Sequence, residues 1–281
     1  MDLLRLSTDI EQMLVRQNLR GMATLLPYLK PGSYLRAAQR IAACKAVVLI
    51  GTGFPVGDSF ETDGPVGAIV LYRLLEKLGA TPLLCCGEPL YSALKADYSC
   101  LQLPIQSDHA AEFARQCIEQ QKPELMISIE RPGLASDGRY YNMRGQDISA
   151  RCANFDVFFQ QAPCPTIAIG DGGNEIGMGN LYPQVSQLAI TPAATRCDEL
   201  VLADVSNWAA YGLLALVSKL KDAETARGWL LECQPAALLD YVVARGGVDG
   251  VTGLASATED SLPPAHAELL IADLQRLCFQ R

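Results

Sequence analysis

Histidine is nearly missing from this chain: its 281 residues hold two, His109 and His266. That scarcity works against a serine nucleophile activated by imidazole and against a zinc site. Cysteine is present ten times, but no Cys-x-x-Cys occurs, and the adjacent Cys85-Cys86 pair is too close for an easy bridge. The scatter reads as buried reduced thiols without disulfides, the habit of a cytoplasmic protein. Basic charge is short as well, with 23 Lys and Arg against 31 Asp and Glu, a formal net charge of −8. Without a basic field to displace counterions, a nucleic-acid partner is not expected. No apolar run approaches the roughly 18 residues of a membrane-spanning helix. The opening residues, Met1 to Asp9, lack the charged-then-apolar layout of a secretory signal. A full dinucleotide fingerprint is also lacking, because Val56 stands where Gly51-x-Gly53 would need its third glycine.

The hydrophobic fraction of 49% is ample for a buried core, and 19% charged residues give no cause for disorder. The expectation is one α/β domain over residues 1–281, a mainly parallel sheet with helices on both faces in a Rossmann-like three-layer arrangement. Residues 1–44 form a helical lead-in too short for a core of its own. Within it, Thr8-Asp9-Ile10-Glu11 fits a capping box, and a second helix is expected from Tyr34 to Cys44.

From Ala46 onward the chain alternates short apolar runs with polar, glycine-bearing loops. Strands are expected at Ala46–Ile50, Pro82–Cys86, Leu125–Ile129, Thr166–Ile169 and Leu200–Ala203. Helices are expected from Pro65 to Gly79, Leu90 to Tyr98, Asp108 (as N-cap) to Gln121, after Trp208, Ala223 to Glu232, Ala236 to Ala244, and Pro264 to Phe279. In open α/β sheets, ligands sit where such strands end. The loops concerned carry Thr52 and Gly53, then Asp63, Glu130 and Arg131, then Asn142 and Arg144. Further on come Asp171, Gly172, Gly173, Asn174 and Glu175, then Asn207, and last Asp249 and Thr252. The start of the Pro65 helix could also grip an anion with its backbone amides. The densest stretch is Gly170-Asp-Gly-Gly-Asn-Glu-Ile-Gly-Met-Gly179. Its plain alternative is a tight strand-to-helix turn with solvated acids.

That decapeptide, with Ile129-Glu-Arg-Pro-Gly133, Tyr140-Tyr-Asn-Met-Arg-Gly145, Asp204-Val-Ser-Asn-Trp208 and Val248-Asp-Gly-Val-Thr-Gly253, resembles the D-glutamate cyclase family, and more narrowly its stand-alone bacterial members. The likeness runs in order from about residue 45 to 280. It implies an α/β fold and a lyase that closes D-glutamate to 5-oxo-D-proline with loss of water, acting on a small amino acid. Two other functions stay open: hydrolysis or transfer on a phosphorylated metabolite, and non-catalytic binding of a small amino acid or carboxylate.

Lactamisation needs a base for the amine, an acid or Lewis acid for the departing oxygen, and donors for the tetrahedral oxyanion. Asp171 and Glu175 could supply base and acid, the amides of Gly172, Gly173 and Asn174 an oxyanion nest, and Arg131 or Arg144 a carboxylate clamp. Alternatively Asp63, Asp171 and Glu175 could hold Mg²⁺ or Mn²⁺, which would polarise the γ-carboxylate instead.

Overall fold

The apolar runs become strands in the computed structural model, which describes residues 2–105, 107–221 and 224–280. Nine strands occur among them: β1 (Val47–Thr52), β2 (Pro55–Val56), β3 (Ser59–Glu61), β4 (Thr81–Cys86), β5 (Cys100–Gln102), β6 (Leu125–Ile129), β7 (Thr166–Gly170), β8 (Glu199–Leu202) and β9 (Gly247–Val248). Six of them form one sheet in the order β5-β4-β1-β6-β7-β8, with every ladder parallel. The chain builds outward from β1 to β5, then returns to β6 on the other side of β1. This is the doubly wound order, and it opens a crevice where the direction reverses, at the carboxyl ends of β1 and β6.

Alternation along each strand fills both faces. Val48, Ile50, Ile127, Ile129, Ile167 and Ile169 point into one core, where the helices Leu3–Leu14, Ser33–Ala43, Pro65–Leu78, Ser206–Lys221 and Ala265–Phe279 pack. Leu49, Met126, Ala168 and Leu200 point into the other, against Ala110–Gln121, Phe155, Phe158 and Met178. A parallel sheet covered on both sides accounts for strands that read as continuous apolar runs. The expected three-layer α/β architecture is what forms.

Local signals hold where the backbone itself demands a residue type. The Pro65–Leu78 helix starts on proline and ends at Gly79, which sits at φ 81° while its N–H and that of Ala80 return to Glu76 and Leu75. Other expected boundaries move. The first helix spans Leu3–Leu14 and is capped by Asp2, whose carboxylate accepts from Leu4 N–H; Thr8 lies inside it and donates its hydroxyl to the Leu4 carbonyl. There is therefore no capping box at Thr8. The helix expected from an Asp108 cap begins at Ala110 after His109, with no side-chain cap. The helix at Leu90 closes at Leu94. The segment expected to run from Ala223 divides into a turn at Glu224–Arg227 and a 3₁₀ turn at Trp229–Glu232, with Ala223 itself outside the described residues. The small β2-β3-β9 sheet was not anticipated. It enlarges the loop after β1 and brings Glu61 and Asp249 to the same end of the main sheet.

Candidate active site

Above the β1/β6 crevice lies a cavity of about 740 Å³, within the usual range for small-molecule sites. Glu130, Asp171, Asn174 and Glu175 line it, as do Asn142 and Arg144 from the irregular loop after β6. The floor is a cluster of buried acids. Asp171 follows β7, and its carboxylate accepts from Ser206 N–H at 3.1 Å and faces the Arg20 guanidinium at 3.1 Å. Asp63 accepts from Ser206 N–H at 2.8 Å and Asn207 N–H at 2.7 Å, so it caps the Ser206–Lys221 helix from a distant segment. Glu130 follows β6 with its backbone at φ 42°, a left-handed conformation that a non-glycine residue adopts at a cost. Its side chain takes the Ser206 hydroxyl at 2.6 Å. Gly64 (φ 90°) passes so close that a Cβ there would lie 2.6 Å from the Glu130 Cβ.

Several anticipated binders have other work. Glu175 accepts from Gly172 N–H at 2.8 Å and Gly173 N–H at 2.7 Å. Two of the three amides expected to form the oxyanion nest, those of Gly172 and Gly173, are thus taken by the loop's own carboxylate. Arg131 is buried and its two terminal nitrogens donate to the carbonyls of Thr52, Gly53 and Ala153, which ties strand ends together, while its Nε is buried without a partner. Thr52 and Gly53 line a much smaller cleft beside Arg131, about 20 Å³ in volume. The amide oxygen of Asn207 accepts from Gly64 and Gly67, which occupies the helix start at Pro65 proposed above for an anion. Asp249 organises its own loop by accepting from Val251 N–H, Thr252 N–H, the Thr258 hydroxyl and Ser261 N–H. Burial works against its charge, but the bonds from Thr252, Thr258 and Ser261 hold its carboxyl below the usual range. Thr252 is exposed. Neither histidine lines the cavity.

Three residues absent from the expected set belong to this floor: Arg20, Glu61 and Asp260. Arg20 reaches in from the N-terminal segment and bridges Asp171 to Asp260, the latter at 2.6 Å. Burial alone would lower its pKa, but Asp171, Asp260 and Glu130 raise it. The segment is pinned by Asp204, which accepts from Gln17 and Leu19 N–H. Glu61 lay within a polar cluster of the sequence from which only Asp63 was chosen. Asp260 had no glycine beside it to mark it.

Crowding keeps these carboxyls protonated beyond their ordinary range. Burial, then the charge of Asp260, pushes Asp63 up to about 8. Burial and Asp171 push Asp260 up to about 8. Burial, followed by neighbouring acids, drives Glu61 and Glu130 upward as well. Burial likewise outweighs Arg20 at Asp171 and the loop amides at Glu175, so both are raised. Two triads could take a cation: Asp63, Asp171 and Asp260, or Glu130, Asp171 and Glu175. A stability prediction follows for protein freed of divalent ions. Unfolded carboxyls lose their protons near pH 4 (about 4 in model peptides), whereas the folded protein keeps those of Asp63 and Asp260 to about 8. Between these values the folded state binds more protons, so stability falls as pH rises. Thermal scans should give a melting temperature several degrees lower at about pH 8 than at about pH 5. An equal or higher value at the upper pH would show that these carboxyls ionise normally.

The cavity loops fall within the stretch of the chain that is similar to known proteins. The family described as D-glutamate cyclase-like, C-terminal, matches residues 10–275, so the match takes in Arg20 and most of the lead-in. The human protein named D-glutamate cyclase, mitochondrial, is 31% identical over 207 residues, covering 64% of this chain and 33% of that protein. The chain thus spans about a third of that relative's length. Among solved structures, an exopolyphosphatase-related protein from Bacteroides fragilis aligns with a TM-score of 0.44 at 9% identity. That alignment covers 90% of this chain and 62% of the other, a likeness too weak to bear on fold or function.

Proposed function

The chain belongs to the D-glutamate cyclase-like family, and from that premise we propose that it is a lyase converting D-glutamate to 5-oxo-D-proline with loss of water. The observation that carries the reading is a cavity whose floor offers protonatable carboxyls, on loops that fall within the family match. The reaction moves two protons from the substrate ammonium to one γ-carboxylate oxygen, which leaves as water as the C–N bond forms. Two carboxyls with raised pKa values suit that transfer, because burial lets each hold a proton more readily than an ordinary carboxyl does.

Asp171 takes protons from the amine. Glu130, kept neutral by burial and by the charges of Asp171 and Glu175, protonates the departing oxygen. This moves the acid's role from Glu175 to Glu130, since Glu175 is committed to the Gly172 and Gly173 amides. Arg144 stands exposed at the mouth with one backbone contact, to the Val251 carbonyl at 3.3 Å, and is the group free to hold the α-carboxylate.

The test is incubation with D- and L-glutamate followed by chiral analysis of the lactam. 5-Oxo-D-proline should form from the D-isomer, while the L-isomer stays largely unconverted. The variant Arg144→Ala should raise KM by roughly 10–100-fold with little change in kcat, the scale of one charge-assisted hydrogen bond. Absence of lactam from the D-isomer would overturn the reading.

A further inference from the structure

We propose that the cavity floor binds a hard divalent cation, of the Mg²⁺ or Mn²⁺ class, on Asp63, Asp171 and Asp260, with Glu61 beside them. One carboxylate oxygen from each of the three aspartates lies within 4.8 Å of the other two. Ligands of a six-coordinate ion with bonds of about 2.1 Å stand up to roughly 4.2 Å apart, so small adjustments would close the set around one ion.

The independent sign of a missing ligand is a pair of orphaned oxygens. Asp260 Oδ2 and Glu61 Oε1 are hidden from solvent and have no hydrogen-bond partner. Both residues line the cavity and are only 7% exposed. A carboxylate oxygen buried without a partner is costly, and a cation resolves the cost for both at once. Glu61 has little room to turn away, because a Cβ built on Gly250 would sit 2.2 Å from its other oxygen.

Charge points the same way. Four carboxylates, Glu61, Asp63, Asp171 and Asp260, surround the single guanidinium of Arg20. No thiol or imidazole lines the cavity, so the donor set is all oxygen and selects hard ions over zinc or copper. The set differs from the one expected from sequence: Asp260, which carries a buried oxygen without a partner, replaces Glu175. The alternative triad of Glu130, Asp171 and Glu175 contributes no such oxygen.

The ion's use in catalysis rests on the lactamisation reading; its binding does not. Near Asp171 it would withdraw charge from the γ-carboxylate, a task the occupied loop amides cannot perform.

The experiment is calorimetric titration of chelator-treated protein with Mn²⁺ and with Mg²⁺, alongside thermal scans and turnover of D-glutamate. One ion should bind per chain, and the melting temperature should rise by roughly 5–10 °C at about a hundredfold excess over Kd. Asp260→Asn and Glu61→Gln, each shown folded by circular dichroism, should weaken Mn²⁺ binding at least about tenfold. No binding and no thermal shift at millimolar ion would overturn the site, as would unchanged binding in folded Asp260→Asn. Turnover that survives chelation would remove the ion from the chemistry and keep the reaction, leaving the site to be judged by the titration alone. Mn²⁺ binding to this set without any lactam formed would keep the site and remove the reaction.

Discussion

Asp171→Asn is expected to lower D-glutamate turnover by roughly 10²–10⁴-fold, the scale of a positioned proton-transfer group, while the melting temperature moves by only a few degrees. The side chain keeps its volume, and its carbonyl oxygen can still accept from Ser206 N–H. The lost attraction to Arg20 is offset by reduced repulsion among the buried acids, and Arg20 retains Asp260. Glu130→Gln should show the same pattern, and the double variant should be little worse than the poorer single, because groups acting on one proton inventory are not additive. Glu175→Gln differs. Its new NH₂ must face the N–H of Gly172 or Gly173, so stability should fall together with turnover. Circular dichroism melting and chiral product assay on the same samples separate these outcomes. Full turnover by Asp171→Asn would remove it from the chemistry.

Arg20→Met carries the largest expected effect on stability, about 3–5 kcal/mol at about pH 9, where the acids are ionised, the scale for removing one partner of a buried ion pair. Its side chain is 11% exposed and joins Asp171 to Asp260. Without it the floor has carboxylates facing one another. The loss should shrink toward about pH 5, where the acids hold protons in both variant and wild type. Urea denaturation at the two pH values measures the difference. A loss that is small or independent of pH would mean that Arg20 does not neutralise the cluster.

The sheet was legible because its signal is dense and local. A parallel strand buried on both faces, such as Thr166–Gly170, reads as an unbroken apolar run, and the polar loop behind it marks its carboxyl end. That signal marks Asp171, Glu130 and Glu175, and all three line the cavity. What escaped was contact between residues far apart in sequence. Arg20 sits in a short stretch with no glycine loop, and nothing local shows that Asp204 holds the Gln17 and Leu19 amides so that the guanidinium enters the floor. Asp260 is hidden for the same reason. Arg131, Asn207 and Asp249 also suit a ligand by type, but strand-end carbonyls, a helix start and a loop's own amides take up much of their bonding capacity. A sequence displays donors and acceptors without showing which the fold has already spent.

The Arg20 bridge also bears on how the protein is made. Arg20 and Asp260 are 240 positions apart (260 − 20), and Arg20 and Asp171 are 151 apart (171 − 20). At about 5–20 residues per second of translation, Arg20 waits roughly 12–48 seconds after its own synthesis before Asp260 is added. Through that interval the sheet can assemble around β1, β6 and β7, but its acidic end lacks its final aspartate. The full bridge therefore forms only once the segment carrying Asp260 has been made and reaches back to Arg20.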